Sequence, residues 1–264
     1  MSESGLIVQF RSKSSPLDIS MTALAKAIHR HIAPATTYQG LMPNSSVSIW
    51  MMEALPGNGY LFTFSKFTVA KLDTTVVDLA KFYASSWETP QAPGRGMSQW
   101  YKAKLMQLSG ALPSRFTIVV ERTFRIIDEI IYQVPWVLTH SDLSNMNILV
   151  DPDSGHLTGV VDWADASIEP FGIALWGLES ILGCSGPQGW AYHRNDVSHS
   201  RRLFRMVLLT EIGGVISDET RRAIEEVRTL GLLLRYGFSW EDGAEKPTRD
   251  TTLLDIFLQS RLLE

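Results

Sequence analysis

The chain has 264 residues, of which 45% are hydrophobic and 20% charged, and its formal net charge at pH 7 is -4. This length and apolar content suit one large globular domain or two lobes that share a core. A nucleic-acid partner is not expected, because phosphate backbones are bound by clustered Lys and Arg, and this charge balance supplies no such cluster.

Two further features concern location. The apolar segments are interrupted by charges well before the ~20 residues that a membrane span requires, so no membrane association is expected. The single cysteine, Cys184, cannot form an internal disulfide. This suits a reducing compartment, and we expect a cytoplasmic protein.

The beginning of the chain predicts a strand followed by a helix. Residues 5–10 form a compact apolar run typical of a strand, and residues 12–16 break it with turn residues. Apolar side chains at helical spacing then predict a helix over residues 17–32, with Asp18 suited to its first turn.

The next segment predicts the end of a front lobe. Residues 31–40 are expected to be irregular, whereas residues 46–52 alternate like a half-buried strand and run into Pro56-Gly57. An apolar strand followed by Pro-Gly indicates the end of a sheet, so we place a lobe boundary there. The front lobe therefore comprises residues 1–57, and Gly57-Asn58-Gly59 is interpreted as a turn.

Residues 58–264 predict a mainly helical lobe. Helical patterns cover residues 72–87, 96–112, 114–132, 173–182, 198–216, 218–235 and 251–263. Loops are expected over residues 185–197 and 240–249, and a β-hairpin is expected within residues 136–169. The predicted fold class is α+β, with an incomplete β-containing front lobe and a helical second lobe.

The hairpin within residues 136–169 presents three polar side chains at the ends of buried strands. Asp142 follows one apolar strand, Asn147 precedes the next, and Asp162 follows the third. Polar groups in such positions are costly unless they bind something. Asp142 can accept a proton from a hydroxyl group, and Asn147 and Asp162 supply the hard oxygens that Mg²⁺ prefers. Phosphoryl transfer needs these parts, since it depends mainly on positioning and charge neutralisation.

The same residues carry a family resemblance. His140-x-Asp142-x-x-x-x-Asn147 has the spacing of the kinase catalytic loop, and Asp162 begins the triplet that stands where kinases carry Asp-Phe-Gly. The segment THSDLSNMNILVDPDSGHLTGVVDWADASIEPFGIALWGLE resembles the aminoglycoside phosphotransferase and choline kinase type of small-molecule kinase, and within it the fungal branch of phosphotransferase-family proteins. The resemblance extends to VSIWMMEALPG and QFRSKSSPLD and is weaker in the C-terminal helices.

The resemblance implies a protein kinase-like fold with a truncated N-terminal lobe. It also implies an ATP- and Mg²⁺-dependent phosphotransferase acting on a small hydroxyl- or amine-bearing metabolite. Carried over position by position, it makes Asp142 the catalytic base and Asn147 and Asp162 the magnesium ligands. His140 joins the catalytic loop, where a bracing role is preferred to proton transfer.

The resemblance also implies how ATP is held. The hinge Met52-Glu53-Ala54 would offer backbone groups to an adenine ring. No lysine is evident on the strand LIVQFRSK, where Gln9 and Arg11 share a face, so Arg11 is the candidate for phosphate contact. Nothing ahead of residue 5 matches the glycine-rich hairpin of kinases. The helix over residues 17–32 contains no Glu, although an Arg11–Asp18 pair is conceivable.

Other interpretations stay open. One is a truncated pseudokinase that binds a ligand or a partner protein, and another is a kinase-fold protein that performs non-phosphoryl acid-base chemistry. A metal-dependent hydrolase using His140, Asp142 and Asp162 is weaker, because hydrolytic zinc sites usually gather two or three nitrogen or sulfur ligands. The loops over residues 185–197 and 240–249 are candidate walls of the acceptor site.

Overall fold

The computed structural model describes residues 5–13, 15–194, 196–213 and 216–263. By its internal contacts the chain forms two compact units. The first unit comprises Met1–Thr89 and Leu138–Ser167, and the second unit comprises Pro90–Val137 and Ile168–Glu264. The lobe boundary at residue 57 is a different division of the chain and stays a prediction.

The elements follow one another as strands and helices of both kinds. The chain begins with β1 (Leu6–Ser12), α1 (Ile19–His29), β2 (Thr36–Leu41), β3 (Val47–Glu53), β4 (Asn58–Gly59), α2 (Tyr60–Thr63), α3 (Val69–Trp87), α4 (Met97–Ala111) and α5 (Thr117–Ile130). It continues with β5 (Trp136–Thr139), β6 (Ile148–Val150), β7 (Leu157–Val160), β8 (Ser167–Pro170), α6 (Gly177–Leu182), β9 (Gly183–Gly186), β10 (Gly189–Tyr192), α7 (Val197–Glu211), α8 (Asp218–Tyr236), β11 (Phe238–Glu241), β12 (Ala244–Pro247) and α9 (Thr252–Phe257). The predicted α+β class is confirmed.

The first unit begins with a three-stranded antiparallel sheet in the order β1-β3-β2. Strands β1 and β3 pair without a break, from Leu6 opposite Glu53 to Ser12 opposite Val47. Helix α1 begins after Asp18, whose Oδ1 accepts hydrogen bonds from the next turn's backbone N–H groups. The predicted strands and helix of this region are therefore present.

The expectation that residues 31–40 are irregular is wrong, because β2 occupies part of this segment. Its sequence TTYQGL is exposed along most of its length, and the strand lies at an edge of the sheet. With neither face buried, it lacks the apolar alternation that marks a half-buried strand. A bulge between Tyr38 and Gly40 further disturbs its pairing with β3.

The predicted hairpin is formed by β6 and β7, with β4 added on the other side of β6. Ile148 faces Val160, and Leu149 faces Gly159. The turn between the strands is closed by Asp151, whose Oδ1 accepts from the backbone of the next residues. Gly155 in this turn has φ 80°, and a Cβ there would lie 2.4 Å from the backbone oxygen of Lys71. Only glycine fits that approach of the turn to α3.

The second unit is mainly helical, and α4, α5 and α8 lie where helices are predicted. Three predicted helices are shorter than expected. The helix over residues 173–182 is reduced to α6, since Gly172 with φ 116° precedes a series of turns. The helix over residues 198–216 ends with α7, before Gly213 with φ 99°, and residues 214–215 lie outside the described residues. The helix over residues 251–263 is reduced to α9.

The two predicted loops are wrong, because each contains a short hairpin. Strands β9 and β10 pair within the segment expected to be a loop over residues 185–197, of which residue 195 lies outside the described part. Strands β11 and β12 pair in the segment over residues 240–249. Strands of four residues that carry Gly, Ser, Glu and Lys have little apolar patterning, so pairing rather than side-chain burial defines them.

A buried ionic cluster lies within the second unit. Glu179 on α6 accepts two hydrogen bonds from Arg201 on α7, at 3.1 and 2.8 Å. Arg228 on α8 lies 3.5 Å from Glu179 and donates to Glu225 at 3.1 Å. The second oxygen of Glu225 accepts from the backbone N–H of Leu262 at 3.1 Å and from that of Leu263. These bonds satisfy the backbone N–H groups of Leu262 and Leu263, which lie beyond the end of α9.

A helix that crosses a bilayer needs both length and apolarity. Among the described residues, no helix combines the two to the degree that crossing a bilayer requires.

Candidate active site

The predicted site residues all belong to the first unit. Asp142 and Asn147 lie on the loop between β5 and β6, and His140 lies at the start of that loop. Asp162 follows β7. The remaining predicted residues lie on the front sheet: Arg11 on β1, Met52 and Glu53 at the end of β3, and Ala54 directly after it.

Asp142 and Asn147 are in direct contact. Asn147 Nδ2 donates to the backbone oxygen of Asp142 at 2.8 Å and to its carboxylate Oδ2 at 3.1 Å. Because both of these oxygens can only accept, the amide nitrogen must face Asp142, and the amide oxygen Oδ1 is directed elsewhere. The loop thus holds the predicted base in place and presents an uncharged oxygen beside it.

Asn147 is also linked to the strand that delivers Asp162. The backbone N–H of Val161 donates to the backbone oxygen of Asn147 at 2.9 Å. Asp162 is the next residue and takes a left-handed conformation, with φ 62° and ψ 61°, which Asp tolerates better than most residues. Its side chain is 52% exposed. The fold therefore brings the two predicted metal ligands to neighbouring positions of one ladder.

His140 has the geometry of a brace. It is only 3% exposed, and its Nε2 lies 2.8 Å from the backbone oxygen of Val161. Since a carbonyl oxygen accepts, Nε2 carries the hydrogen, and burial lowers the pKa of His140, which favours the neutral ring. The ring also meets Trp163 edge-on at 4.8 Å. These contacts tie the loop to the residue before Asp162, and a catalytic role for His140 stays a prediction.

The donor set suits a magnesium ion held by few protein atoms. Among the described residues no three His, Cys, Asp or Glu side chains cluster closely enough to hold a metal by themselves. Mg²⁺ does not require such a cluster, because it keeps several waters and is held by one or two carboxylates together with substrate phosphates. The carboxylate of Asp162 and Oδ1 of Asn147 meet that requirement.

Arg11 lies close to Asp162. Its Nε donates to the backbone oxygen of Ser15 at 2.9 Å, and its Nη1 lies 4.0 Å from Asp162 Oδ1. This separation is too long for a hydrogen bond, so the guanidinium is near the carboxylate without being bound by it. The conceivable Arg11–Asp18 pair is not formed, because Asp18 caps α1 instead.

A second ion pair in the first unit was not predicted. Lys26 on α1 lies 2.7 Å from Glu53 Oε2 and donates to the backbone oxygen of Ala33 at 3.1 Å. The same Glu53 oxygen accepts from the N–H of Ala35 at 3.2 Å. The hydrogen bond from Lys26 is the main cause that lowers the pKa of Glu53. No local pattern connects these residues in the sequence, so only the fold reveals the pair.

The backbone of the predicted hinge is partly engaged. The N–H of Glu53 donates to Ala35 O, and the N–H of Ala54 donates to Gly5 O, both at 2.9 Å. Met52 is paired with Ile7 in the sheet. An adenine ring at this segment would therefore have to use other backbone groups, such as the carbonyl oxygens of the hinge residues.

Sequence reasoning also missed a buried histidine behind the site. His29, near the end of α1, stacks on Phe82 of α3 with a centroid distance of 4.2 Å. Its Nδ1 lies 3.0 Å from Ser85 Oγ, and its ring lies 5.3 Å from that of Trp163. Burial, together with the neighbouring His140, lowers the pKa of His29 to about 3. A neutral His29 thus joins α1 to α3 and to the residue after Asp162.

A front sheet with one helix, followed by a loop and a hairpin that carry Asp142, Asn147 and Asp162, is the arrangement of a protein kinase-like fold. Residues 68–189 match the family described as the phosphotransferase enzyme family, APH. The match includes all three residues and confirms the resemblance to the aminoglycoside phosphotransferases. The fungal branch and the truncation of the N-terminal lobe stay predictions.

Solved structures show the same fold. Wild-type aminoglycoside 2'-phosphotransferase-IIIa in complex with GDP is 16% identical, with 81% of this chain and 72% of that chain covered and a TM-score of 0.52. Aminoglycoside phosphotransferase APH(3'')-Id from Streptomyces rimosus, with ADP and streptomycin, is 13% identical, with 86% of each chain covered and a TM-score of 0.51. Macrolide 2'-phosphotransferase MphH from Brachybacterium faecium is 15% identical, with 84% and 74% covered and a TM-score of 0.52. At these identities the similarity concerns the fold. None of the curated proteins compared with the chain matches it.

Proposed function

We propose that this protein transfers a phosphoryl group from ATP, in the presence of Mg²⁺, to a small molecule that bears a hydroxyl or amine group. The observation that carries the proposal is the contact between Asp142 and Asn147, together with the backbone bond that places Asn147 beside the residue preceding Asp162. A base and two hard oxygens in adjacent positions are what phosphoryl transfer requires.

The proposed roles follow from the geometry of these side chains. Asp142 accepts the proton of the attacking hydroxyl, and its contact with Asn147 keeps the carboxylate oriented. Asn147 Oδ1 and the Asp162 carboxylate hold Mg²⁺. The bound ion supplies charge neutralisation to the phosphate oxygens. Arg11, which lies near Asp162 without being bound by it, contacts a phosphate group.

Use of a nucleotide is supported by the solved structures of this fold that contain GDP or ADP. In this chain we place the adenine ring against the hinge, Met52-Glu53-Ala54. Because the N–H groups of Glu53 and Ala54 already donate within the sheet, carbonyl oxygens of this segment are the proposed partners of the ring.

A small-molecule acceptor is supported by the same comparisons, since one of those structures holds streptomycin. The segment over residues 240–249, which the sequence predicts as a candidate wall, contains hairpin β11–β12, and its acidic side chains are largely engaged. Glu245 pairs with Lys104, and Asp242 pairs with Lys246. Acidic charge on this hairpin is therefore a weak argument for a cationic acceptor. The cytoplasmic location stays a prediction from the sequence.

Nucleotide turnover tests the proposal directly. ADP release would be followed with ATP, Mg²⁺ and a panel of small hydroxyl and amine compounds, for the wild type, Asp142→Asn and Asp153→Asn. Loss of the base should lower kcat by about 100- to 10,000-fold. Asp153 lies on the exposed hairpin turn and serves as the matched control, which should retain activity.

Two results would contradict the proposal. One is ADP release that is unchanged in Asp142→Asn or in the presence of EDTA. The other is a wild-type protein that neither binds ATP with Mg²⁺ nor turns over with any acceptor. In the second case, thermal stabilisation by a metabolite or a partner protein would instead support a protein that only binds.

A further inference from the structure

Two cations of the first unit pair with residues of the proposed nucleotide site, and their partners differ. Arg11 on β1 lies near Asp162, whereas Lys26 on α1 is bound to Glu53 at the end of β3. Helix α1 is thus linked by an ion pair to the hinge end of the sheet. The phosphate end of the sheet keeps a guanidinium that makes no hydrogen bond to the nearby carboxylate.

We propose that Lys26 and Glu53 are positioning residues for the nucleotide. The pair fixes the hinge segment that receives the adenine ring and thereby sets its place relative to Arg11. This inference rests on the proposed function and deepens it, since Lys26 lies outside the predicted site residues and the Glu53 side chain gains a role beyond the backbone contact predicted for it. Neither side chain needs to touch the nucleotide for this role.

The contacts around Glu53 explain how the pair acts on the hinge. Its carboxylate accepts from Lys26 and from the N–H of Ala35, while its own N–H donates to Ala35 O. Ala35, directly before β2, therefore holds both the backbone N–H and the carboxylate of Glu53. The next residue, Ala54, is held by Gly5. Without Lys26, the carboxylate loses its charged partner, and the hinge keeps its backbone bonds and the bond from Ala35 N–H to the carboxylate.

The front sheet also gives the pair a geometric link to Arg11. Arg11 lies opposite Ser48 on β3, and Glu53 lies farther along the same strand. Five residues of an antiparallel strand span about 17 Å. A strand of this length separates a hinge end from a phosphate end and suits a nucleoside triphosphate bound in extended form. A hinge that shifts would misalign the phosphates with Arg11 and Asp162.

If the pair only stabilised the fold, breaking it would lower the melting temperature and leave nucleotide affinity unchanged. Both side chains are about one-third exposed, at 34% and 37%. Exposed ion pairs contribute little to the stability of a fold. Breaking this pair should therefore change nucleotide affinity more than the melting temperature. The matched control is the Lys102–Asp128 pair of the second unit, in which the lysine side chain is 31% exposed.

The experiment compares Lys26→Met, Glu53→Gln, the double variant and Lys102→Met. The dissociation constant of ADP with Mg²⁺ would be measured by calorimetry, and KM for ATP and kcat would be measured with the best acceptor. Each single variant of the pair should weaken nucleotide binding by about ten-fold, and the double variant by no more than either single variant, since the two residues act together. The kcat of Lys26→Met should stay near that of the wild type, and Lys102→Met should bind like the wild type.

The outcomes separate this inference from the proposed function. If the wild type binds the nucleotide and Lys26→Met binds it as well as Lys102→Met does, the positioning role is wrong and the proposed function stands. A fall in kcat with unchanged nucleotide affinity also overturns the positioning role. If the wild type binds no nucleotide, both are overturned. Melting temperatures near that of the wild type in these variants exclude loss of folding as the cause of a lower affinity.

Discussion

Replacing His29 should make the protein less sensitive to acid. Burial lowers the pKa of His29 from 6.5 to about 3, so the folded protein keeps this ring neutral where the unfolded chain protonates it. A group with a lowered folded-state pKa contributes stability above its unfolded pKa, and that contribution is lost as the pH falls. The His29 contribution to the free energy of unfolding therefore falls as the pH drops below about 6.5, and it continues to fall towards the folded-state pKa.

The size of the effect follows from the two pKa values. Between about pH 7.5 and pH 5, the unfolded ring gains nearly one proton and the folded ring gains almost none, which lowers the free energy of unfolding by about 2 kcal/mol. His140 acts in the same direction, because burial lowers its pKa as well. The wild type should thus lose at least the His29 contribution over this interval.

Urea unfolding followed by circular dichroism at both pH values measures this loss. His29→Gln keeps a polar side chain next to Ser85 and should be less stable than the wild type at neutral pH, but it should lose about 2 kcal/mol less on acidification. His31→Gln, at an exposed position, controls for the loss of a histidine as such. Equal acid-induced losses in the wild type and His29→Gln would show that His29 is not buried as a neutral ring.

Three further predictions concern packing and metal binding. A Cβ at Gly231 would lie 1.8 Å from the backbone oxygen of Ile173, so Gly231→Ala should lower the free energy of unfolding by about 1–3 kcal/mol in thermal unfolding. The control is Gly110→Ala, whose Cβ meets nothing within 4 Å and which should be neutral or stabilising. Glu225→Gln weakens the contact with the buried arginine of α8 and should cost about 3–5 kcal/mol, so an unchanged melting temperature would refute the ionic cluster. Asn147→Ala should raise the Mg²⁺ concentration needed for half-maximal activity at least about ten-fold, and an unchanged Mg²⁺ titration would exclude it as a ligand.

The hairpin residues could be anticipated because they are close in sequence and lie on regular elements. The loop from Asp142 to Asn147 is too short to separate the two side chains widely, and the following strands bring the chain back beside it. Their contact and the position of Asp162 therefore follow from spacing and strand pairing. Their roles in catalysis and metal binding are functional predictions, which the geometry supports and the experiments above test.

The Lys26–Glu53 pair could not be anticipated in the same way. The family resemblance implies an acid on the helix paired with a cation on the strand, whereas the fold pairs a cation on the helix with an acid on the strand. The partners are 27 positions apart on separate elements, so their meeting depends on how α1 packs beside the sheet. Local propensity carries no information about such a choice.

One of the missed hairpins did leave a signal in the sequence. Asp242-Gly243 joins β11 to β12, and both residues have positive φ, 52° and 76°. Asp-Gly between two short runs is typical of the two-residue hairpin turn. The flanking residues, rich in charge and ending in Pro247, obscured it because they lack alternating apolar side chains.

Strand β1 has a consequence for handling the protein at high concentration. In the described part of the chain its strand partner is β3, so the opposite edge of β1 presents backbone groups flanked by exposed Leu6, Val8 and Phe10. Apolar edges of this kind promote intermolecular strand pairing. Light scattering should therefore show that Val8→Lys suppresses concentration-dependent association more than Ile118→Lys, which places the same charge on an exposed helical residue.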